Sequence, residues 1–337
     1  MEKISFCLIG AGRAGMVHAY NIVRSIENAR LAAIVDSSRE ALDQRGEELG
    51  VSELYTSVDE ALSEGSFDAV VVVTPTFTHR DIVVKSAEAG KHIFCEKPMS
   101  ITIEEADDMI NAASESGVKL QVGFMRRFDE PFVRAHEIIA DGGLGEVMII
   151  KSLGRGPGLP PPWTYDTARS NGLLGEVNSH DFDSSRWLAG SEYRRVYAEA
   201  ANRKVGKLKK KYPDFYDNVV CTIRFENDVI GTIDGTCPAD YGYDARTELV
   251  LSGGLISIGE VKGSAFLTCD VKGEIRENAF KSWRNRFKDA YQAEMRSFIN
   301  CLLEDLPVSV SGEDGRAAVN AVLAANESLR RGAPVEC

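Results

Sequence analysis

Six residues near the start of the chain, Gly10-Ala11-Gly12-Arg13-Ala14-Gly15, restrict its fold more than any other stretch. They follow directly on an apolar run at 4–9 and open a helical pattern, the strand, turn and helix context that lifts a GxGxxG spacing above chance. Gly10 permits a tight turn, Gly12 lets backbone approach a pyrophosphate, and Gly15 lets helix and strand pack closely, with Ala11, Arg13 and Ala14 completing the loop. The helix N-terminus then turns free N–H groups and partial positive charge toward phosphate. Asp36 ends the next apolar run, 21 residues after Gly15, where a carboxylate binds the hydroxyls of an adenine ribose. An acid there repels a 2′-phosphate, so NAD is the expected cofactor. Ser37, Ser38 and Arg39 keep NADP open, because two hydroxyls and a guanidinium suit a phosphate. The competing reading of Asp36 is a helix cap before Arg39-Glu40-Ala41.

Up to about residue 122, the runs at 4–9, 31–35, 69–73, 91–95 and 119–122 read as strands alternating with helical patterns. That alternation predicts a Rossmann-type, doubly wound parallel sheet. The run 69–73 lacks polar alternation, as a strand covered on both faces should. From about Val147, runs rich in Val, Ile, Tyr and Thr follow one another at 195–201, 218–225, 229–234, 247–252 and 255–258. Turn sequences such as Glu226-Asn227-Asp228 and Ser252-Gly253-Gly254 join them, which predicts a large, mostly antiparallel open sheet. Helical patterns at 285–303 and 314–330 close the chain. The expected division is a cofactor-binding α/β domain over 1–122 and an α/β domain for substrate and oligomer contacts over 123–337, with the last helices free to pack back on the first domain.

The 39 basic and 51 acidic side chains leave a net charge of −12, which repels nucleic acid and anionic membrane surfaces. No stretch approaches the roughly 20 apolar residues of a membrane span. Glu2 and Lys3 lead straight into a short apolar strand, unlike a signal peptide, so a cytosolic (cytoplasmic) address is expected. The cysteines at 7, 95, 221, 237, 269, 301 and 337 are scattered, without CxxC or His/Cys ligand spacing. Reduced core thiols are expected rather than disulfides, and no metal. The basic stretch from Arg203 to Lys211 reads first as a solvated hairpin.

A lysine directly after the buried-looking run 93–95 is poorly explained as solvated surface; Lys97, in Glu96-Lys97-Pro98, stands where an α/β sheet ends and ligands bind. Thr74-Pro75 ends the run 69–73 in the same way and would wall the nicotinamide ribose. His79, in that loop, reads equally as a cofactor contact or a helix-start residue. With Gly90-Lys91-His92, Gly172 to Asp183 and the closing Gly312-Glu313-Asp314-Gly315-Arg316-Ala317, these motifs resemble the glucose-fructose oxidoreductase, inositol dehydrogenase and rhizopine-catabolism family of NAD(P)-dependent sugar and polyol oxidoreductases, nearest its inositol 2-dehydrogenase branch. The resemblance covers nearly the whole chain. It implies that Lys97 stands near both nicotinamide and substrate with Glu96 beside the cofactor, that the Lys97-Pro98 peptide is cis, and that the large sheet serves a homodimer or homotetramer.

The resemblance further implies that His180 is the acid/base and that Glu176, four residues earlier, orients substrate or imidazole. A helix starting near Ser179 would set His180, Asp183 and Trp187 on one face. The chemistry is consistent: oxidising a secondary alcohol removes a hydroxyl proton as hydride leaves carbon. Imidazole, with an ordinary pKa of about 6.5, accepts that proton near neutral pH. A neighbouring lysine stabilises the developing alkoxide and is available to relay the proton. Further substrate-side candidates are Arg126 or Arg127, Arg155, Trp163, Asp183 and Tyr243, with a salt bridge to Asp129 or Glu130 as the alternative for Arg127. Two features depart from the inositol branch. Glu176 stands where aspartate is usual, and Gly154 and Gly156 replace a histidine and an asparagine, which predicts a wider pocket for another cyclitol, an aldose or a glycoside. The expected activity is therefore NAD-dependent oxidation of a cyclic polyol or sugar. The rivals are an NADP-dependent reductase of a keto-sugar, imine or dihydrodiol, and a cofactor-sensing regulator without turnover.

Overall fold

The computed structural model describes residues 3–269, 271–272 and 275–337. In chain order the elements are β1 (Ile4–Ile9), α1 (Gly15–Arg24), β2 (Ala29–Val35), α2 (Arg39–Leu49), β3 (Glu53–Tyr55), α3 (Val58–Glu64), β4 (Ala69–Val72), α4 (His79–Glu88), β5 (His92–Glu96), α5 (Ile103–Glu115), β6 (Leu120–Gly123) and α6 (Glu130–Asp141). They continue as β7 (Val147–Arg155), α7 (Thr167–Ser170), α8 (Gly172–Glu176), α9 (Ser179–Ala189), β8 (Tyr193–Ala201), β9 (Asn218–Phe225), β10 (Ile230–Thr236), β11 (Asp244–Leu251) and β12 (Gly254–Ile258). Last come β13 (Lys262–Cys269), β14 (Ile275–Ala279), α10 (Trp283–Arg286), α11 (Lys288–Leu303), α12 (Gly312–Arg331) and β15 (Val335–Glu336). The chain divides into two compact units, 1–128 with 289–319 and 129–288 with 320–337. The first break falls after Phe128, a little beyond the expected one, where Arg127 is held by Asp314 of α12.

In the first unit six parallel strands lie in the order β3-β2-β1-β4-β5-β6. The order reverses between β1 and β4, which opens a crevice at their carboxyl ends. All four residues of β4 are buried, as a strand covered on both faces requires. Met295, Phe298 and Ile299 of α11 enter the same core as Phe6, Leu8, Ile34, Val71 and Phe94, so a helix from late in the chain completes this layer.

In the second unit seven strands run in the order β12-β11-β7-β10-β9-β8-β15. Only β7 with β10 is parallel; the other pairs are antiparallel. Along β9, Val219, Cys221, Ile223 and Phe225 are buried while Val220 is 54% exposed, the period-2 alternation of a sheet covered on one face. The helix expected over 285–303 is broken at Phe287. That residue is fully buried with its ring edge-on to Tyr243 at 6.1 Å, while Arg286 makes two 2.8 Å bonds to Asp129. In the basic stretch the lysines are exposed, and Asp217 accepts the backbone N–H groups of Arg203, Lys204 and Val205.

No helix among the described residues is long and apolar enough to cross a membrane. Cys7, Cys95, Cys221, Cys237, Cys301 and Cys337 are free thiols, and the side chain of Cys269 lies outside the described ones. Burial pushes the Cys7 and Cys95 thiols up, so they are inert at neutral pH.

Candidate active site

In the first unit, three glycines divide the work at the carboxyl end of β1. Gly10 has φ +101°, and a Cβ there would meet the Val73 carbonyl oxygen at 2.7 Å. A Cβ on Gly15 would fall 1.9 Å from the Gly10 oxygen, so only glycine lets α1 start this close to the strand. A Cβ on Gly12 would meet nothing within 4 Å. The turn is thus closed on the protein side and open on the ligand side, the shape a pyrophosphate needs. Asp36 Oδ2 accepts the Ala11 N–H at 2.9 Å, and its Oδ1 accepts the Ser38 N–H at 3.0 Å. The cap of α2 is Ser38, whose hydroxyl accepts the Ala41 N–H, so Asp36 belongs to the glycine turn instead. Arg13 and Ser37 are exposed beside it. These residues fit a dinucleotide.

At the end of β5 the peptide from Lys97 to Pro98 is cis. Lys97 is half-buried, and its backbone N–H donates to Glu96 Oε2 at 3.0 Å. His79 needs a correction as a cofactor contact. It is 1% exposed, and its ring nitrogens lie 2.8 Å from the Thr74 carbonyl oxygen and 3.0 Å from that of Pro98. Both nitrogens face backbone carbonyls, and the one N–H of the neutral ring donates to one of them at a time, so His79 lies as a strut between the loop after β4 and the loop after β5. Burial pushes its pKa down and outweighs the two carbonyls pulling the other way. Thr74 also accepts a 2.7 Å bond from Thr78.

Behind Lys97 lies a buried cluster that sequence reasoning did not find. His18 Nε2 is 2.7 Å from Glu96 Oε1, and ligand atoms of His18, Glu96 and Glu294 all lie within 4.8 Å of one another. Neither carboxyl oxygen of Glu294 has a hydrogen-bond partner. The available signal was an acid at a core position of α11, between Tyr291 and Met295 in the apolar period. Burial, with Glu96 adding to it, holds the Glu294 carboxyl well above its ordinary 4.5. An acid with a raised folded pKa gives its full stability below the unfolded pKa and loses it as pH rises toward the folded value. Glu294→Gln, neutral throughout, is therefore expected to gain on the native chain by about 1 kcal/mol per pH unit above the unfolded value. In a domain of this size that is roughly 3 °C in melting temperature per unit. Melting curves at about pH 5 and about pH 8 check it; a gap that stays constant would show that Glu294 titrates normally.

In the second unit α9 starts at Ser179, so His180, Asp183 and Trp187 share a face as expected. Glu176 is the last residue of α8 and is half-buried, and Asp183 is buried. Trp187 stacks on His136 at 4.2 Å. The residues flanking His180 sink into the sheet. Asp181 accepts from Ser152 at 2.7 Å and from Asn178 at 2.9 Å, and Asn178 also donates to the Asp234 carbonyl oxygen at 3.1 Å.

This packing corrects the wider pocket expected from Gly154 and Gly156. A Cβ on Gly154 would meet Asp181 Oδ2 at 2.5 Å, one on Gly156 would meet Cys237 Sγ at 3.1 Å, and the space is already filled. Arg155, a substrate-side candidate, stands on the other side of the sheet from Asp181. Next to Gly154 on a strand, it points to the opposite face, where Asp234 receives it at 2.8 Å and Tyr241 at 3.3 Å. Arg127 pairs with Asp314 at 3.0 Å. Tyr243 is buried against Phe287, and Trp163 is half-buried in the turn Pro162–Tyr165.

Residues 4–124 match a family described as an oxidoreductase family with an NAD-binding Rossmann fold, and residues 132–257 match the GFO/IDH/MocA C-terminal domain. The chain is similar to a myo-inositol 2-dehydrogenase of Thermotoga maritima, 34% identical over 325 residues that cover 96% of this chain and 95% of that protein. It is also similar to the scyllo-inositol 2-dehydrogenase (NAD(+)) of Bacillus subtilis, 31% identical over 337 residues, 99% and 96% of the two. Among solved structures, the scyllo-inositol dehydrogenase of Lactobacillus casei with bound NAD(H) and scyllo-inositol shares the fold at a TM-score of 0.92 and 28% identity, with 99% of each chain covered.

Proposed function

Because the chain belongs to the GFO/IDH/MocA oxidoreductase family, we propose that it is an NAD-dependent dehydrogenase that oxidises a secondary alcohol of a cyclic polyol to the ketone. One observation carries this reading. The parallel sheet that bears the open glycine turn at the end of β1 presents Lys97 at the end of β5. The inositol dehydrogenases among the similar proteins support the substrate class. Gly10, Gly12, Gly15 and Asp36 hold the dinucleotide, which when bound supplies the hydride acceptor. His180 takes the hydroxyl proton at a ring nitrogen as the carbon loses hydride. Lys97 Nζ holds the charge that develops on the oxygen. Glu176 orients the substrate hydroxyl or the imidazole. Substrate, NAD and base thus become ketone, NADH and protonated base.

A second copy of the chain covers the open face of the seven-stranded sheet. Val220, Ile230 and Leu255 stand outward there at 54%, 42% and 59% exposure, which supports a homo-oligomer. Free thiols support a cytosolic address.

One preparation tests the reading. Calorimetry is expected to give NAD an affinity about tenfold or more above NADP, a difference of about 1.4 kcal/mol. A panel of inositols, aldoses and glycosides is expected to yield reduced nicotinamide absorbance with an inositol, and light scattering a mass above the monomer. Tight NAD binding without turnover on any compound would overturn the enzyme reading in favour of a cofactor sensor.

A further inference from the structure

We propose that His18 and Glu294 are positioning residues for Lys97, acting through Glu96, so that one buried polar cluster sets both the dinucleotide-binding helix and the lysine. The inference rests on the reading of Lys97 given above. Its basis is a short connected path. His18 lies one turn into α1, whose N-terminus forms the glycine turn, and it is fully buried. Its Nε2 meets Glu96 Oε1 at 2.7 Å, while Glu96 Oε2 receives the Lys97 backbone N–H at 3.0 Å. Both oxygens of Glu96 are thus engaged, one by α1 and one by Lys97. Aromatic rings hold the imidazole in place, Phe94 at 5.0 Å and Tyr291 at 5.6 Å.

Glu294 closes the cluster from α11. It is fully buried, with no partner for either oxygen, in a helix whose neighbouring core positions are Tyr291, Met295 and Phe298. An aliphatic side chain would fill that place without the cost of burying a polar group unmatched. Such a departure from good packing is expected where a residue serves function rather than stability. The titratable groups facing the cluster are His18 from α1, Glu96 and Cys95 from β5, and Glu294 and Tyr291 from α11. A shift of α1 is therefore passed to Lys97 through two hydrogen bonds.

The test uses the intact protein, with turnover expressed per NAD-binding site so that misfolded molecules drop out. His18→Asn is expected to lower kcat about a hundredfold, the scale of a misplaced reacting group. The KM for the polyol should stay within about threefold, and His18→Gln, whose longer amide reaches Glu96, should recover part of the loss. Glu294→Leu is expected to melt no lower than the native chain while losing about tenfold in kcat and shifting the pH–rate profile, which a purely structural residue would not do. If His18→Asn does not fold, Glu294→Leu still decides. Native kcat and an unchanged profile in Glu294→Leu would overturn the proposal. If Lys97→Ala keeps its turnover, the reading of the site fails as well; if Lys97→Ala is inactive and the other variants are native-like, only this inference fails.

Discussion

Lys97→Ala is expected to lower kcat about a thousandfold, the scale of losing a group that stabilises developing oxyanion charge. NAD affinity should change by less than about threefold, because the dinucleotide residues lie on other elements. The expectation is sharp because the backbone around Lys97 is fixed without its side chain. Its N–H is tied to Glu96, and the carbonyl of Pro98 is tied to His79. Truncation thus removes the ammonium group and leaves its setting in place. Lys97→Arg should not restore activity, because a planar fork of donors does not reproduce a compact point charge at one oxygen. Steady-state kinetics with NAD titration of the same protein separates the two effects. Full turnover in Lys97→Ala would end the assignment.

His180→Gln should lose between about 10² and 10⁴ in turnover, the range for removing a general base. The fall of native activity at low pH that reflects protonation of the imidazole should vanish with it. Asn178 and Asp181 anchor the start of α9 to β7 and β10 through their own hydrogen bonds, so the helix should stay in place when the imidazole is replaced. Circular dichroism and melting close to native values are expected alongside the kinetic loss. A variant keeping more than about a tenth of native turnover, with the native pH profile, would exclude His180 as the base.

The glycine turn and the strands of the first unit were legible because local rules govern them. Apolar runs of strand length, turn glycines and the acid after β2 each act within a few residues. The start of α9 at Ser179 was legible for the same reason, since helical spacing alone puts His180 and Asp183 on one side. What stayed hidden depends on partners distant in sequence. Phe287 fits a helical period, and its contact with Tyr243 and that of Arg286 with Asp129 join segments distant in sequence. The two carbonyls that occupy His79 belong to different loops, and Glu294 meets His18 from the far end of the chain. The face to which Arg155 turns was hidden for a subtler reason. Alternation along a strand is local, but which of its two faces α9 covers is a tertiary fact.

The glycines of the second sheet bear on how readily the substrate range could be altered. A Cβ on Gly235 would fall 2.0 Å from Asn178 Oδ1, just as one on Gly154 would crowd Asp181. Two strands have therefore given up side chains so that a helix can lower its polar shoulders into the sheet. Engineers seeking new contacts beside His180 face an epistatic barrier there. A side chain placed on either strand alone must push aside the end of Asn178 or Asp181, which are hydrogen-bonded to each other, so changes here are best made as paired replacements of strand and helix.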